Sequence, residues 1–158
     1  MVNVKIATSA EQPINSDGAV STVTGEEGDL VGLDSNGELV AADADDAVAV
    51  PAVGLLATPV DDPSSYPTGQ FEYAAKTAEA NRAAINDDKV GYIRYGAEIV
   101  NKDEDWGFTP GEPVYLAVGG GFTQAKPDGT AGNIVQALGY AIDAESVMLE
   151  IDPDYTTA

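Results

Sequence analysis

Residues 28–42 read Gly-Asp-Leu-Val-Gly-Leu-Asp-Ser-Asn-Gly-Glu-Leu-Val-Ala-Ala, and residues 111–125 read Gly-Glu-Pro-Val-Tyr-Leu-Ala-Val-Gly-Gly-Gly-Phe-Thr-Gln-Ala. Each stretch contains a glycine, an acidic residue, an apolar run that predicts a strand, a turn with glycine and a second predicted strand. A pattern that recurs at a nearly constant spacing indicates repeated structural units. The sequence therefore predicts two similar β-units, over residues 28–57 and 111–142.

Three pairs of glycines align the two copies. The offsets are 83 residues for Gly28 and Gly111, 84 for Gly37 and Gly121, and 85 for Gly54 and Gly139. Single-residue insertions in loops produce an offset that grows this slowly, so we interpret the copies as one unit with small loop changes.

Short apolar runs separated by glycine and proline turns predict an all-β fold. We expect a small β-barrel or sandwich built from the two units, with at most one short helix, at residues 74–85. Residues 25–158 are predicted to form a single β-domain, because the length fits one domain. An extended N-terminal arm over residues 1–24 precedes it, and an insertion at about residues 58–89 interrupts it.

Two longer runs predict individual strands. Residues 90–100 are rich in β-forming side chains and predict one strand. Residues 134–142 predict another, in which every second residue from Ile134 to Ile142 lies on one face.

The composition excludes several kinds of chemistry. The chain of 158 residues has no cysteine and no histidine, which excludes disulfides, thiolate metal sites and histidine-dependent catalysis. Twenty-seven acidic residues against seven basic ones give a net charge of −20, which opposes binding to nucleic acid or to an anionic membrane. The acidity indicates one of two things: a surface that binds a basic partner, or a hydrated acidic surface suited to molar salt. We favour the second.

The acidic loops contain the only candidates for a metal site, and they are weak ones. Asp43, Asp45 and Asp46 share a loop, but their spacing does not match a calcium-binding loop. We expect no metal and no cofactor. Residues 119–121 are three glycines without the lysine of a phosphate-binding loop, so they predict a turn. No pair of carboxylates carries a catalytic signature, and we expect no enzymatic activity.

Short predicted strands that begin with or contain glycine recur over most of the chain, residues 25–57 and 90–151, and resemble those of a known protein family. The segments are Gly28–Val31, Gly37–Ala41, Val53–Leu55, Gly111–Leu116, Gly121–Thr123 and Leu138–Ala144. They resemble the small capsid decoration (cement) proteins of tailed viruses. The resemblance implies a virion protein on the outer surface of an icosahedral capsid. Such a protein binds the major capsid protein, stabilises contacts between its subunits, and is often a homotrimer.

Together with the acidity, the resemblance implies a haloarchaeal virus, with synthesis in the host cytoplasm. The candidates for capsid or subunit contacts are Val4, Ile6, Pro13 and Ile14 in the arm, and Trp106. The alternative is a halophilic surface or virion-appendage β-module that binds carbohydrate or calcium through its acidic loops.

Overall fold

The computed structural model describes residues 4–9, 14–15, 26–37, 39–56, 91–93, 95–103 and 105–157. These residues form β-strands and one 3₁₀ turn, Gly129–Ala131. The strands are β1 (Val4–Ser9), β2 (Ile14–Asn15), β3 (Leu30–Leu33), β4 (Leu39–Ala41), β5 (Gly54–Leu56), β6 (Gly91–Ile93), β7 (Tyr95–Asn101), β8 (Pro113–Leu116), β9 (Phe122–Thr123), β10 (Ala137–Ala141) and β11 (Ser146–Glu150). The segment predicted as a helix, residues 74–85, lies outside the described residues.

The strands form two antiparallel sheets. The six-stranded sheet has the order β1-β7-β11-β10-β8-β9, and the five-stranded sheet has the order β2-β6-β5-β3-β4. The prediction of an all-β fold is confirmed. The barrel alternative is wrong, because each sheet ends in two edge strands and the described strands do not form a closed ring.

Both sheets repeat one strand order. We call β2–β6 the first unit and β7–β11 the second unit. When the strands of the two units are matched in chain order, every strand has the same neighbours within its unit. The residue pairing matches as well. The equivalent pairs are Val31–Gly54 with Val114–Gly139, Gly32–Val40 with Tyr115–Thr123, and Leu33–Leu39 with Leu116–Phe122. The duplication therefore comprises five strands in each copy, more than the sequence pattern indicated.

Backbone hydrogen bonds outside the strands are also repeated. The Gly28 N–H donates to the Leu56 carbonyl at 2.9 Å, and the Gly111 N–H donates to the Ala141 carbonyl at 2.8 Å. Both glycines have positive φ, +97° and +80°. The turn that precedes β3 in the first unit is therefore the same as the turn that precedes β8 in the second.

The hairpin turns fix the alignment between the two copies. The Gly37 N–H donates to the Asp34 carbonyl at 3.1 Å, and the Gly120 N–H donates to the Ala117 carbonyl at 3.0 Å. Gly37 is therefore equivalent to Gly120, and the predicted match with Gly121 is wrong by one residue. Because residues 119–121 are all glycine, the sequence alone does not show which of them is equivalent to Gly37.

The boundary between the units lies inside residues 90–100, which were predicted to form one strand. β6 pairs with β5 in the five-stranded sheet, and β7 pairs with β11 in the six-stranded sheet. The prediction is wrong because a continuous run of β-forming residues gives no sign that the chain changes sheets. The β5–β6 connection, residues 57–90, stands where the second unit has the turn of residues 142–145. The predicted insertion falls in this connection, outside the described residues.

One hydrophobic cluster joins the two sheets. It contains buried side chains from β1 and from both units, among them Val4, Leu30, Leu55, Ile99, Val114, Leu116, Leu138 and Leu149. Burial of a side chain of this size contributes about 1.5–3 kcal/mol relative to exposure. A second cluster, of Val31, Leu39 and Leu56, is formed by the alternate residues of β3–β5, so both faces of these strands are packed.

A bulge in β10 changes which residues face the core. The register of β10 against β8 shifts just before Gly139. Leu138 is buried, whereas Tyr140 is 41% exposed, so their predicted common face is wrong. Gly139 has φ +142°, and a Cβ there would overlap the Met148 carbonyl oxygen, so the bulge requires glycine.

β1 lies outside the repeat, beside β7. Val4 is only 9% exposed and belongs to the core cluster. The Ile6 N–H donates to the Glu27 carboxylate at 3.1 Å, and Lys5 lies 3.9 Å from the same carboxylate. β1 and β2 both fall in the predicted arm and are hydrogen-bonded into the sheets, while the division into arm and domain stays a prediction.

The β4–β5 loop, residues 42–53, connects the first unit to the second. The Ala44 N–H donates to the Ala117 carbonyl at 3.2 Å, and the Ala44 carbonyl accepts from the Ile134 N–H at 2.8 Å. The buried side chain of Gln136 makes three hydrogen bonds, two of them to this loop. Its Oε1 accepts from the Ala52 N–H at 2.7 Å, and its Nε2 donates to the Ala52 and Asp152 carbonyls at 2.9 and 2.8 Å.

The Gln136→Met substitution is expected to lower the free energy of unfolding by about 2–4 kcal/mol. Methionine fills the space but leaves the buried Ala52 N–H and C=O without partners. Gln124 is the matched control, because its amide makes the same two hydrogen bonds to Thr109, at 2.9 Å each, in an exposed position. Gln124→Met is expected to cost less than about 1 kcal/mol, since water replaces the lost bonds. Urea denaturation measures both, and equal losses would contradict the prediction.

Gly28 and Gly111 provide a second matched pair. A Cβ at Gly28 would overlap the Val4 carbonyl, whereas a Cβ at Gly111 meets nothing within 4 Å. Gly111→Ala should cost about 1–2 kcal/mol, the cost of a positive φ alone. Gly28→Ala should cost at least about 1–3 kcal/mol more, because β1 must also move. Denaturation midpoints test the difference, and hydrogen exchange of β1 amides should increase only in the Gly28 variant.

Candidate functional site

The candidate site is a cleft of about 430 Å³ where the two units and β1 meet. The first unit contributes residues 28–31 and 41–43, and the second contributes residues 119–122. Val4 and Trp106 complete the lining. Because its walls come from parts of the chain that are far apart in sequence, the cleft depends on the packing of the two units against each other.

One wall of the cleft is aromatic. The Trp106 ring stacks on Phe108 at a centroid distance of 5.1 Å and an interplanar angle of 21°. It also contacts Phe122 at 5.4 Å, tilted by 47°. All three rings are half-buried and pack against the core cluster. Trp106 thus has a fixed position with part of its surface accessible, as expected of an aromatic side chain at a binding surface.

The loop that carries Trp106 is held at several points. The Gly107 N–H donates to the Asp105 carboxylate at 2.6 Å. The Phe108 N–H donates to the Ala144 carbonyl at 3.3 Å. These bonds, and the Gln124 amide on Thr109, limit the motion of the aromatic wall.

Two carboxylates also line the cleft. The Asp43 Oδ1 accepts from the Asp45 N–H and from the Gly119 N–H, both at 2.8 Å. The Asp29 Oδ2 accepts from the Glu26 N–H at 2.8 Å. Within the described residues, the second oxygen of each carboxylate accepts no hydrogen bond. The cleft therefore combines aromatic rings with negative charge.

The Gly119–Gly121 segment forms the β8–β9 turn, as the sequence predicted. All three glycines have positive φ, between +80° and +87°. A Cβ at Gly120 would lie 3.1 Å from the Ala42 carbonyl oxygen, which leaves little space for a side chain. The glycines thus allow the turn of the second unit to approach the first unit closely.

Two of the three predicted weak metal candidates, Asp43 and Asp45, use their carboxylates to accept backbone N–H groups of loops. Asp43 accepts two backbone N–H groups, as above, and the Asp45 Oδ1 accepts from the Ala47 N–H at 2.9 Å. Asp46 uses its own N–H, which donates to the Asn133 side chain at 3.2 Å. In the described part of the chain, no three acidic side chains come together as metal ligands would.

Two aspartates outside the cleft have perturbed pKa values. The Thr130 hydroxyl and N–H lower the pKa of Asp128, and the Ser146 hydroxyl and Glu145 N–H lower the pKa of Asp143. Hydrogen bonds to the charged form have this effect. Both side chains are exposed and hold turns, whereas a catalytic acid at neutral pH would need a raised pKa.

The remaining predicted contact residues lie apart from one another. Val4 lines the cleft but is buried within its own chain, which does not favour a contact role. Ile6 is half-buried against the core cluster. Pro13 lies outside the described residues. Ile14, in β2, pairs with Tyr92 of β6. The contact roles of these residues stay predictions.

Comparison with protein-family models, with curated protein sequences and with solved structures finds no significant match to this chain. In the part of the chain that the structure describes, no helix is long and apolar enough to span a membrane. The candidate site is therefore interpreted from its own geometry and chemistry.

The Asp43→Ala substitution is expected to lower the free energy of unfolding by about 1–3 kcal/mol, because it removes the acceptor that connects the loop of the first unit to the turn of the second. Asp45→Ala is the control, since it removes one exposed bond within a single loop and should cost less than about 1 kcal/mol. Urea denaturation distinguishes them. A loss at Asp45 as large as that at Asp43 would show that the contact with Gly119 contributes nothing.

Proposed function

We propose that this chain is a structural virion protein that binds the outer surface of a tailed-virus capsid and stabilises contacts between the major capsid subunits. Its partners are the major capsid protein and further copies of itself in a homotrimer. It carries out no reaction. The host is a halophilic archaeon, and the acidic surface maintains hydration in molar salt.

The observation that carries the proposal is the duplicated five-stranded unit with one shared core. Short strands, hydrogen-bonded turns and the buried Gln136 contacts restrict movement between the two halves. A protein that strengthens a shell needs a rigid body with several contact points, since many weak contacts add up over an assembly. The glycine-anchored strands that resemble decoration proteins are β3–β5 and β8–β10, the centres of the two units.

An apolar row on the six-stranded sheet supports a protein partner. Tyr140 pairs with Pro113 on β8 and with Met148 on β11, so the three residues lie side by side across three strands. Tyr140 and Pro113 are exposed, and Met148 is half-buried. Apolar side chains that lie together on the surface of so acidic a chain are a candidate contact for another protein. We assign this row to contact with the capsid.

The test uses capsids of the encoding virus assembled without this chain. Purified protein is added in molar KCl, and bound protein is quantified after sedimentation of the capsids. Stoichiometric, saturable binding and a higher temperature of capsid disruption are expected. Absence of binding at every salt concentration would overturn the proposal.

The Tyr140→Glu variant tests the apolar row. A charge in the centre of a buried contact should weaken capsid binding by at least about tenfold, the effect of roughly 1.4 kcal/mol. Val48→Glu is the control, because Val48 is 57% exposed in the β4–β5 loop, away from the row. Its binding should equal that of the unmodified protein. Equal binding by both variants would remove the row from the interface.

A further inference from the structure

The cleft between the units brings together two kinds of groups that both attract cations. Trp106 and Phe122 present aromatic surface, and Asp29 and Asp43 present carboxylates. An aromatic ring face attracts a cation through its quadrupole, most strongly when the ring is tryptophan. A carboxylate attracts the same cation by charge. The two groups therefore select one class of ligand.

The surroundings give this cleft an unbalanced negative charge. Among the described residues, no lysine or arginine lines the cleft, and the whole chain carries a net charge of −20. Asp43 is half-buried, and Asp29 is exposed at the cleft wall. Each carboxylate uses one oxygen for a loop N–H, and its other oxygen accepts no hydrogen bond from the described residues. Salt screens charge pairs in a partly enclosed cleft less than it screens pairs on an open surface.

We infer that this cleft binds an arginine side chain presented by an extended segment of the partner protein. A planar guanidinium stacks on an aromatic ring and donates to a carboxylate at the same time, which an ammonium group does less well. A volume of about 430 Å³ also accommodates backbone on either side of that arginine. The identification of the partner as the major capsid protein rests on the proposed function, whereas the chemistry of the cleft does not.

The single tryptophan of the chain makes this inference directly measurable. Trp106 is the only tryptophan, so intrinsic tryptophan fluorescence reports on the cleft alone. The probe is the blocked tripeptide acetyl-Gly-Arg-Gly-amide, titrated in molar KCl. Its neutral analogue, with citrulline in place of arginine, keeps the shape and removes the charge. Saturable quenching by the arginine peptide, and none by the citrulline peptide, is expected. Equal responses to the two peptides would overturn the inference.

A matched pair of variants locates the binding. Asp29→Asn removes one charge from the cleft and keeps an oxygen for the Glu26 N–H, so the affinity for the arginine peptide should fall about fivefold. Asp152→Asn makes the same change outside the cleft, where Asp152 caps the Asp154 N–H at 2.9 Å. It should leave the affinity unchanged. Equal losses in the two variants would show only a general charge effect and would contradict a site in the cleft.

The two proposals fail in different ways. If the arginine peptide binds as described but capsids do not, the cleft is retained and the virion function is wrong. If capsids bind the unmodified protein and the Asp29→Asn variant equally, and the peptide does not quench Trp106, the virion function is retained and the cleft has no part in recognition.

Discussion

The structure depends on the contact between the β4–β5 loop and the second unit. Gln136 is almost completely buried, and its amide is hydrogen-bonded to Ala52 and Asp152. Separation of the units would break the hydrogen bonds between Gln136 and Ala52 and expose the apolar side chains of the shared core to water, which is unfavourable. The same contact sets the distance between the Asp43 loop and the Gly119 turn. The cleft therefore has a defined shape only because the two units are held in one arrangement.

The sequence was sufficient for the centre of each unit. Gly28 and Gly111 both have positive φ and make equivalent hydrogen bonds. Because positive φ favours glycine, this conformation appears in the sequence as a glycine at the same place in both copies. The outer strands were not visible in this way. β2 has only two residues. β7 follows closely on β6 within one run of β-forming side chains, so no turn residue and no change of pattern marks the boundary between these two strands. The sequence predicts that every second residue from Ile134 to Ile142 lies on one face of the strand. The bulge before Gly139 reverses this alternation of side chains, and the sequence pattern does not reveal the bulge.

The candidate site was largely invisible in the sequence, and the reason is geometric. In the sequence Asp43 is one of three neighbouring acids and only a weak candidate for a metal ligand, whereas in the structure its carboxylate accepts from the Gly119 N–H, 76 residues away. The residue type of Trp106 predicts a contact residue, but its stacking partners and the carboxylates that line the same cleft follow only from the packing of the units. Val4 is a predicted contact residue of the N-terminal arm. The pairing of β1 with β7 buries it.

The features that could carry recognition lie where the two copies differ. Gly28 and Gly111 have equivalent backbone conformations, but β1 packs against Gly28 only. β1 also pairs with β7, whereas no described strand pairs with the outer edge of the equivalent strand, β2. The cleft is bounded by β1, by Trp106 and by the close contact between the Gly119 turn and the first unit, none of which has a described equivalent in the other copy. A duplicated sheet provides rigidity through what its halves share. Recognition of one partner in one orientation requires a feature that the duplication does not repeat, and the asymmetric cleft meets that requirement.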